Sequence, residues 1–253
     1  MRRALSALAV FAPLRVLRGA PLRATLLAAP ALTAALSLPV PAAAQTPPVE
    51  MNTDRASFMV VLRESPGQNR PDDRFTPTGP TKLKLPDGKE IELNHAWWEY
   101  IGDLHVRFVF DSPAIMRNAM PDELEKIGIK TVDDALTLAV ANIRRTYGAP
   151  RSQPLAGGVM SVLGRSEDLN SSYFLDRPFW QDLLKQHPEG LVAAVPARGM
   201  LLYAPLTDTR AVGALRNVIG GIYQDAARLR VSSALYLFKD GRWTVFQAPV
   251  AKN

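Results

Sequence analysis

Two stretches of the chain alternate apolar and charged residues about a short polar turn, and both predict β-hairpins. In the first, Thr81–Leu85 and Lys89–Leu93 flank Pro86-Asp87-Gly88. A three-residue loop with Gly88 left-handed is expected there, a type I turn followed by a bulge. That register sets Lys84 opposite Glu90 and Lys82 opposite Glu92 on the wet face. Leu83, Leu85, Ile91 and Leu93 fall on the other face, and opposite charges facing each other support the pairing. In the second, Ala234–Phe238 and Arg242–Phe246 flank Lys239-Asp240-Gly241. The same loop sets Leu237 opposite Trp243 and Leu235 opposite Val245. Apolar or alternating runs at Ser57–Leu62, Leu104–Phe110, Leu155–Leu163, Leu191–Val195 and Met200–Ala204 read as further strands.

Helical spacing is as plain. Thr131 opens a helix with Asp134 three residues on, a weaker capping box. Val132, Ala135, Leu136, Ala139, Val140, Ile143 and Tyr147 share one face of it, and Gly148 and Pro150 end it. Asp208 caps a second long helix striped by Ala211, Val212, Leu215, Val218, Ile219, Ile222, Ala226 and Leu229. Gly220-Gly221 inside that stripe predicts close helix packing, at some cost in propensity. Pro121–Ile127 is a short helix with proline in its first turn and Gly128 at its C-cap. Ser171–Leu175 and Pro178–Gln186 read as helical, and His187-Pro188 ends the second piece. Strands and helices mix without regular alternation. The expected class is α+β, a mixed or antiparallel sheet with hairpins and with helices packed on one face.

The first 44 residues change the picture of charge. They hold Arg2, Arg3, Arg15, Arg18 and Arg23 and no acid, then an apolar run from Ala24 to about Pro39, then Pro-Ala-Ala-Ala before Gln45. That is the layout of an export signal with cleavage near Ala44-Gln45. The alternative is a retained membrane anchor, but prolines 30, 39 and 41 suit a cleavage region better than a spanning helix. Arg2-Arg3 invites a twin-arginine route, and the residues around the pair fit it poorly. The net charge is +6, from 30 Lys and Arg against 24 Asp and Glu. Without the leader it falls to about +1, so no case for nucleic acid remains. Cysteine is absent, which excludes disulfides, thiol chemistry and a lipoprotein anchor. The predicted organisation is a leader at 1–44, a linker at 45–56 and one α+β domain at 57–253. Within that domain an N-terminal hairpin region covers 57–103 and a core covers 104–247. A periplasmic or secreted protein with no stable membrane span after cleavage is the expectation.

Three segments carry a resemblance. FDSPAIMRNAMPDELEKIGIKTVDDALTLAVANIRR has an acid after a strand, a short helix ending in Gly-apolar, and a long Ala- and Asn-bearing helix. LNSSYFLDRPFWQDLL precedes the strand pair GLVAAVPARGMLLYAP, and SSALYLFKDGRWTVF closes with a hairpin. From Leu104 to Phe246 this order resembles the YtpQ-like group, a bacterial family of unknown function. The resemblance implies a fold and no activity. The chain departs from the family pattern at Asn170-Ser171-Ser172 and at Gly199, where acids are usual.

The chemistry of the side chains narrows the function classes. The three histidines, His95, His105 and His187, have no ligand spacing, so no metal site and no cofactor is expected. No nucleophile elbow or Ser-x-x-Lys exists, and Ser161 between Gly158 and Gly164 has the wrong spacing. N-capping of the helix that follows explains at least one of Ser171 and Ser172. Asp122-Glu123 and Asp133-Asp134 read as helix-dipole partners. No phosphate-binding glycine loop occurs. Two features stand out as binding candidates. Trp97 and Trp98 lie between polar residues, as a ligand platform, a partner contact, or a cover for the first hairpin. Arg198 sits in the Pro196–Gly199 turn at the mouth of two apolar strands, where an arginine can bind carboxylate or phosphate; the alternative is a solvated turn residue. The expected function is a non-catalytic exported protein that binds a protein or small-molecule ligand, or an envelope-associated assembly factor. The alternative is a hydrolase using Ser171 with His105 and an acid, or an acid cluster that spacing does not reveal.

Overall fold

The computed structural model describes residues 52–65, 70–113 and 115–250, which belong to one unit. The expected leader lies outside the described residues. The first strands are β1 (Phe58–Glu64), β2 (Thr76–Pro77), β3 (Thr81–Lys84), β4 (Glu90–Leu93), β5 (Trp97–Glu99), β6 (Leu104–Asp111) and β7 (Met116–Asn118). Helices α1 (Pro121–Lys126) and α2 (Val132–Tyr147) follow, then β8 (Arg151–Pro154) and β9 (Met160–Leu163). A 3-10 helix at Glu167–Leu175 leads into α3 (Arg177–Gln186), and the chain closes with β10 (Leu191–Ala194), β11 (Leu202–Pro205), α4 (Thr209–Asp225), β12 (Leu235–Lys239) and β13 (Arg242–Gln247). All strand pairs are antiparallel, and the protein is α+β. No helix among the described residues is long and apolar enough to cross a membrane.

One sheet has the order β1-β6-β5-β2, with β7 also on β6; the other runs β13-β12-β10-β11-β9-β8. In the second sheet the central strands β10, β11 and β12 have both faces covered. Val192, Ala194, Leu202, Ala204 and Leu235 pack against Ala211, Val212, Leu215 and Ile219 of α4. The opposite face joins the main core, where Phe174 stacks on Trp243 at 4.1 Å and Trp180 meets the same ring edge-on at 4.9 Å. Each such ring, taken out of water, contributes about 1.5–3 kcal/mol. Helix α2 begins with the predicted cap: Thr131 Oγ1 accepts from Asp134 N at 3.1 Å, and Asp134 accepts from Thr131 N. Its Asn142, buried in the apolar stripe, donates to the carbonyls of Arg55 and Phe58. Ser172 Oγ donates to Val60 O. The Phe58 and Val60 carbonyls lie on β1, whose one strand neighbour among the described residues is β6, so these bonds help to protect that sheet edge.

The first hairpin has the predicted register, Lys84 to Glu90 and Lys82 to Glu92, with Gly88 at φ +84°. It forms its own two-stranded sheet, and Leu83 is 45% exposed. The last hairpin differs from expectation. Lys239 pairs with Arg242, so the turn has two residues, Asp240 and Gly241, both at positive φ. That is the type I′ geometry, which twists with the strands. The shift places Trp243 opposite Phe238 and Val245 opposite Tyr236. Because side chains alternate, one residue of slip changes which face each occupies. Leu237 and Leu235 therefore go to the α4 side, and Trp243 enters the aromatic core.

Two other expectations are corrected. Leu155–Leu163 is not one strand: it turns back at Ala156–Gly158, closed by Leu155 N to Val159 O at 2.7 Å, so β8 and β9 form a hairpin. Gly157 and Gly158, both at positive φ, permit the reversal. Gly220 and Gly221 do not mark close packing, since a Cβ at either would meet nothing within 4 Å.

Candidate anion-binding site

The register of the first sheet decides which side chains share a face. Met59, Val61 and Arg63 of β1 stand opposite Val109, Arg107 and His105 of β6, and Arg107 and His105 stand opposite Trp97 and Glu99 of β5. Met59, Val61 and Val109 are buried and form an apolar floor. Arg63 and Arg107 are half-buried on the same face. Two clefts open there. One, about 600 Å³, is lined by Met59, Asp111, Tyr147, Asp168 and Arg198. The other, about 340 Å³, is lined by Ser65, Trp97, Glu99, His105 and Arg107. Arg198 lines the first cleft and Arg107 the second, and Arg63 lies along β1 between Met59 of the one and Ser65 of the other.

Three guanidinium groups gather on this face. Burial, then Arg198, then Arg107 push the Arg63 pKa down to about 10, and Asp168 offsets part of that. Burial likewise holds Arg107 below the ordinary arginine value. No ion pair involves Arg63 or Arg107 among the described residues. Arg63 instead donates to the carbonyl of Leu62 at 2.8 Å. Arg107 lies over the Trp97 ring at 3.9 Å and donates Nε to His105 Nε2 at 2.6 Å. Glu99 does not neutralise the group, because Arg70 already holds it at 2.5 Å. Arg198 is 29% exposed, and its Nε has no hydrogen-bond partner. Its nearest acid is Asp168, at 3.5 Å and 70% exposed.

Arg198 is aimed by its neighbours. Its N–H donates to Leu229 O at 2.8 Å, and Ala197 bridges to Arg230. Gly199 stands at φ +76°, and a Cβ there would lie 2.0 Å from Glu167 O. Only glycine fits so close to the 3-10 helix, which carries Asp168. Gly199 N also donates to Ser171 Oγ at 3.3 Å.

The sequence candidates separate accordingly. Trp97 and Trp98 point to opposite faces of β5. Trp98 packs edge-on against Phe108 at 5.1 Å, in the core. Trp97 faces the clefts, but His95 stacks on it at 4.3 Å and Arg107 covers it. It therefore positions Arg107 instead of offering a bare platform. Burial and Arg107 hold His95 below the ordinary histidine value. Ser171 and Ser172 are not N-caps: both are buried within the 3-10 helix, and Asp176 caps α3. His187 ends α3. Arg198 is joined by Arg63 and Arg107, which the sequence reading passed over. Their signal was an arginine inside an otherwise apolar strand run. No protein family, curated protein or solved structure matches the chain.

Proposed function

We propose that this is an exported, non-catalytic binding protein that holds a small anionic ligand between Arg63, Arg107 and Arg198. The observation that carries the reading is the gathering of three half-buried guanidiniums, of which, among the described residues, only Arg198 has an acid within ion-pair distance, the exposed Asp168. Like charges held together over an apolar floor cost free energy, and an anion bound among them would remove that cost. Arginine suits this use, because its planar fork matches the oxygens of phosphate and carboxylate. The resemblance to the YtpQ-like group implies no activity, so the reading rests on these side chains. Export rests on the leader's composition.

Calorimetric titration with inorganic phosphate and with citrate tests the binding. Saturable binding of either is expected, weakened at least about tenfold by Arg63→Gln or Arg198→Gln, the loss of one charge-assisted hydrogen bond. Absence of saturation with both anions contradicts the reading. Fractionation of the native host tests the address, with a mature N-terminus at Gln45 expected in the periplasm or medium.

A further inference from the structure

A third cleft lies between α2 and the start of α3, about 430 Å³ in volume. That is within the usual range for small-molecule sites. Its walls follow from the sequence of α2. The helix stripe is wider than the core that receives it: Ala135, Ala139 and Ile143 are buried, while Leu136 and Val140 are half-buried and line the cleft. Phe75 supplies a flat wall, backed by the buried Tyr100 ring, which stacks on it at 4.3 Å with the planes 6° apart.

Of the four charged lining residues, Arg144, Asp176 and Arg177 are held in ion pairs, and Asp133 is exposed in the first turn of α2. Arg144 donates through Nε and Nη2 to both oxygens of Asp176, at 2.6 and 2.8 Å, and that carboxylate is fully buried. Arg177 donates to Asp73 at 2.5 Å, and the Tyr100 hydroxyl donates to the same carboxylate. Breaking the Arg144 pair leaves the buried Asp176 carboxylate uncompensated. A ligand charged at its buried end would have to compete with these pairs, since Asp133 is exposed at the first turn of α2. An uncharged one leaves them intact and buries the exposed side of Leu136 and Val140. The geometry points to a neutral, flat, apolar molecule as the occupant, seated against Phe75, with the exposed Thr137 hydroxyl at the lining as its polar contact. This site stands independently of the arginine cluster.

N-phenyl-1-naphthylamine, a neutral flat probe that brightens in apolar surroundings, tests the proposal on the full chain. Saturable brightening is expected, undisturbed by inorganic phosphate. Thr137 and Ala141 are exposed on α2 and line the cleft, so Thr137→Phe and Ala141→Phe fill it without entering the core. Each is expected to weaken the probe about tenfold or more, with the melting temperature of the protein kept as the folding control. Arg63→Gln is expected to leave probe binding unchanged. Brightening that fails to saturate, or that persists in both filled variants, overturns the proposal.

Discussion

Replacing Gly199 by alanine sets the close approach of the β10–β11 turn against the rest of the fold. Two costs add. An alanine held at φ +76° costs about 1–2 kcal/mol in the left-handed region. Its Cβ would also stand 2.0 Å from Glu167 O and 3.0 Å from Glu167 C, both backbone atoms. No side chain can swing aside, so the turn or the 3-10 helix must move, at about 1–3 kcal/mol for overpacking. The expected total is about 2–5 kcal/mol, a large share of a typical domain's stability. Gly88→Ala is the internal control: its φ is +84°, yet a Cβ there meets nothing within 4 Å. It carries only the conformational cost. Urea unfolding of both variants, compared by midpoint at unchanged slope, separates the two. Equal losses at Gly199 and Gly88 would refute the argument. Displacing this turn also moves Arg198, so phosphate affinity is expected to fall in Gly199→Ala and to stay unchanged in Gly88→Ala.

Three further outcomes follow from the same geometry. Gly220→Ala and Gly221→Ala fill open space on α4 and should each stabilise by about 0.5–1 kcal/mol, read by urea unfolding; a loss would mean the helix needs those glycines. Trp243→Ala empties the centre of the aromatic cluster and should cost about 3–5 kcal/mol, whereas Thr244→Ala on the other face should cost little. Burial and a hydrogen bond to a carboxylate push Tyr147 up to about 12, through Asp111, and Tyr223 up to about 12, through Glu64. Both phenols are neutral in the fold and ionise near pH 10 when unfolded, so their contribution is whole below about pH 10 and disappears as pH rises toward 12. Stability measured across that interval should fall, and Tyr147→Phe should flatten the fall.

Much of the fold was legible because the local rules agree with one another. Capping at Thr131 and Asp208, the stripe of α2 and the charge pairs of the first hairpin each follow from nearest neighbours in the chain. The last hairpin was misread at one point. Lys239-Asp240-Gly241 resembles Pro86-Asp87-Gly88, but proline fixes the first loop residue and lysine does not. With lysine free to pair, the turn contracts to Asp240-Gly241, and Trp243 changes face. The turn inside Leu155–Leu163 was hidden because Leu155, Val159 and Val162 suggest one apolar run. The arginine cluster was half legible. Arg198 stood out in its turn, but its neighbours arrive by strand pairing across residues 63 and 107, which no local spacing records. The two tryptophans looked alike in sequence; period-two alternation sends one to the core and one to the clefts.

The central claim concerns the charge gathered between Arg63, Arg107 and Arg198, and an anion placed there can be seen directly. Crystals of the protein soaked in selenate, whose anomalous signal marks its position, provide that measurement. The account predicts an anomalous peak within hydrogen-bonding distance of at least two of the three guanidiniums, absent in crystals of Arg63→Gln. A selenate bound only elsewhere, or three guanidiniums that stay bare at saturating selenate, would contradict it.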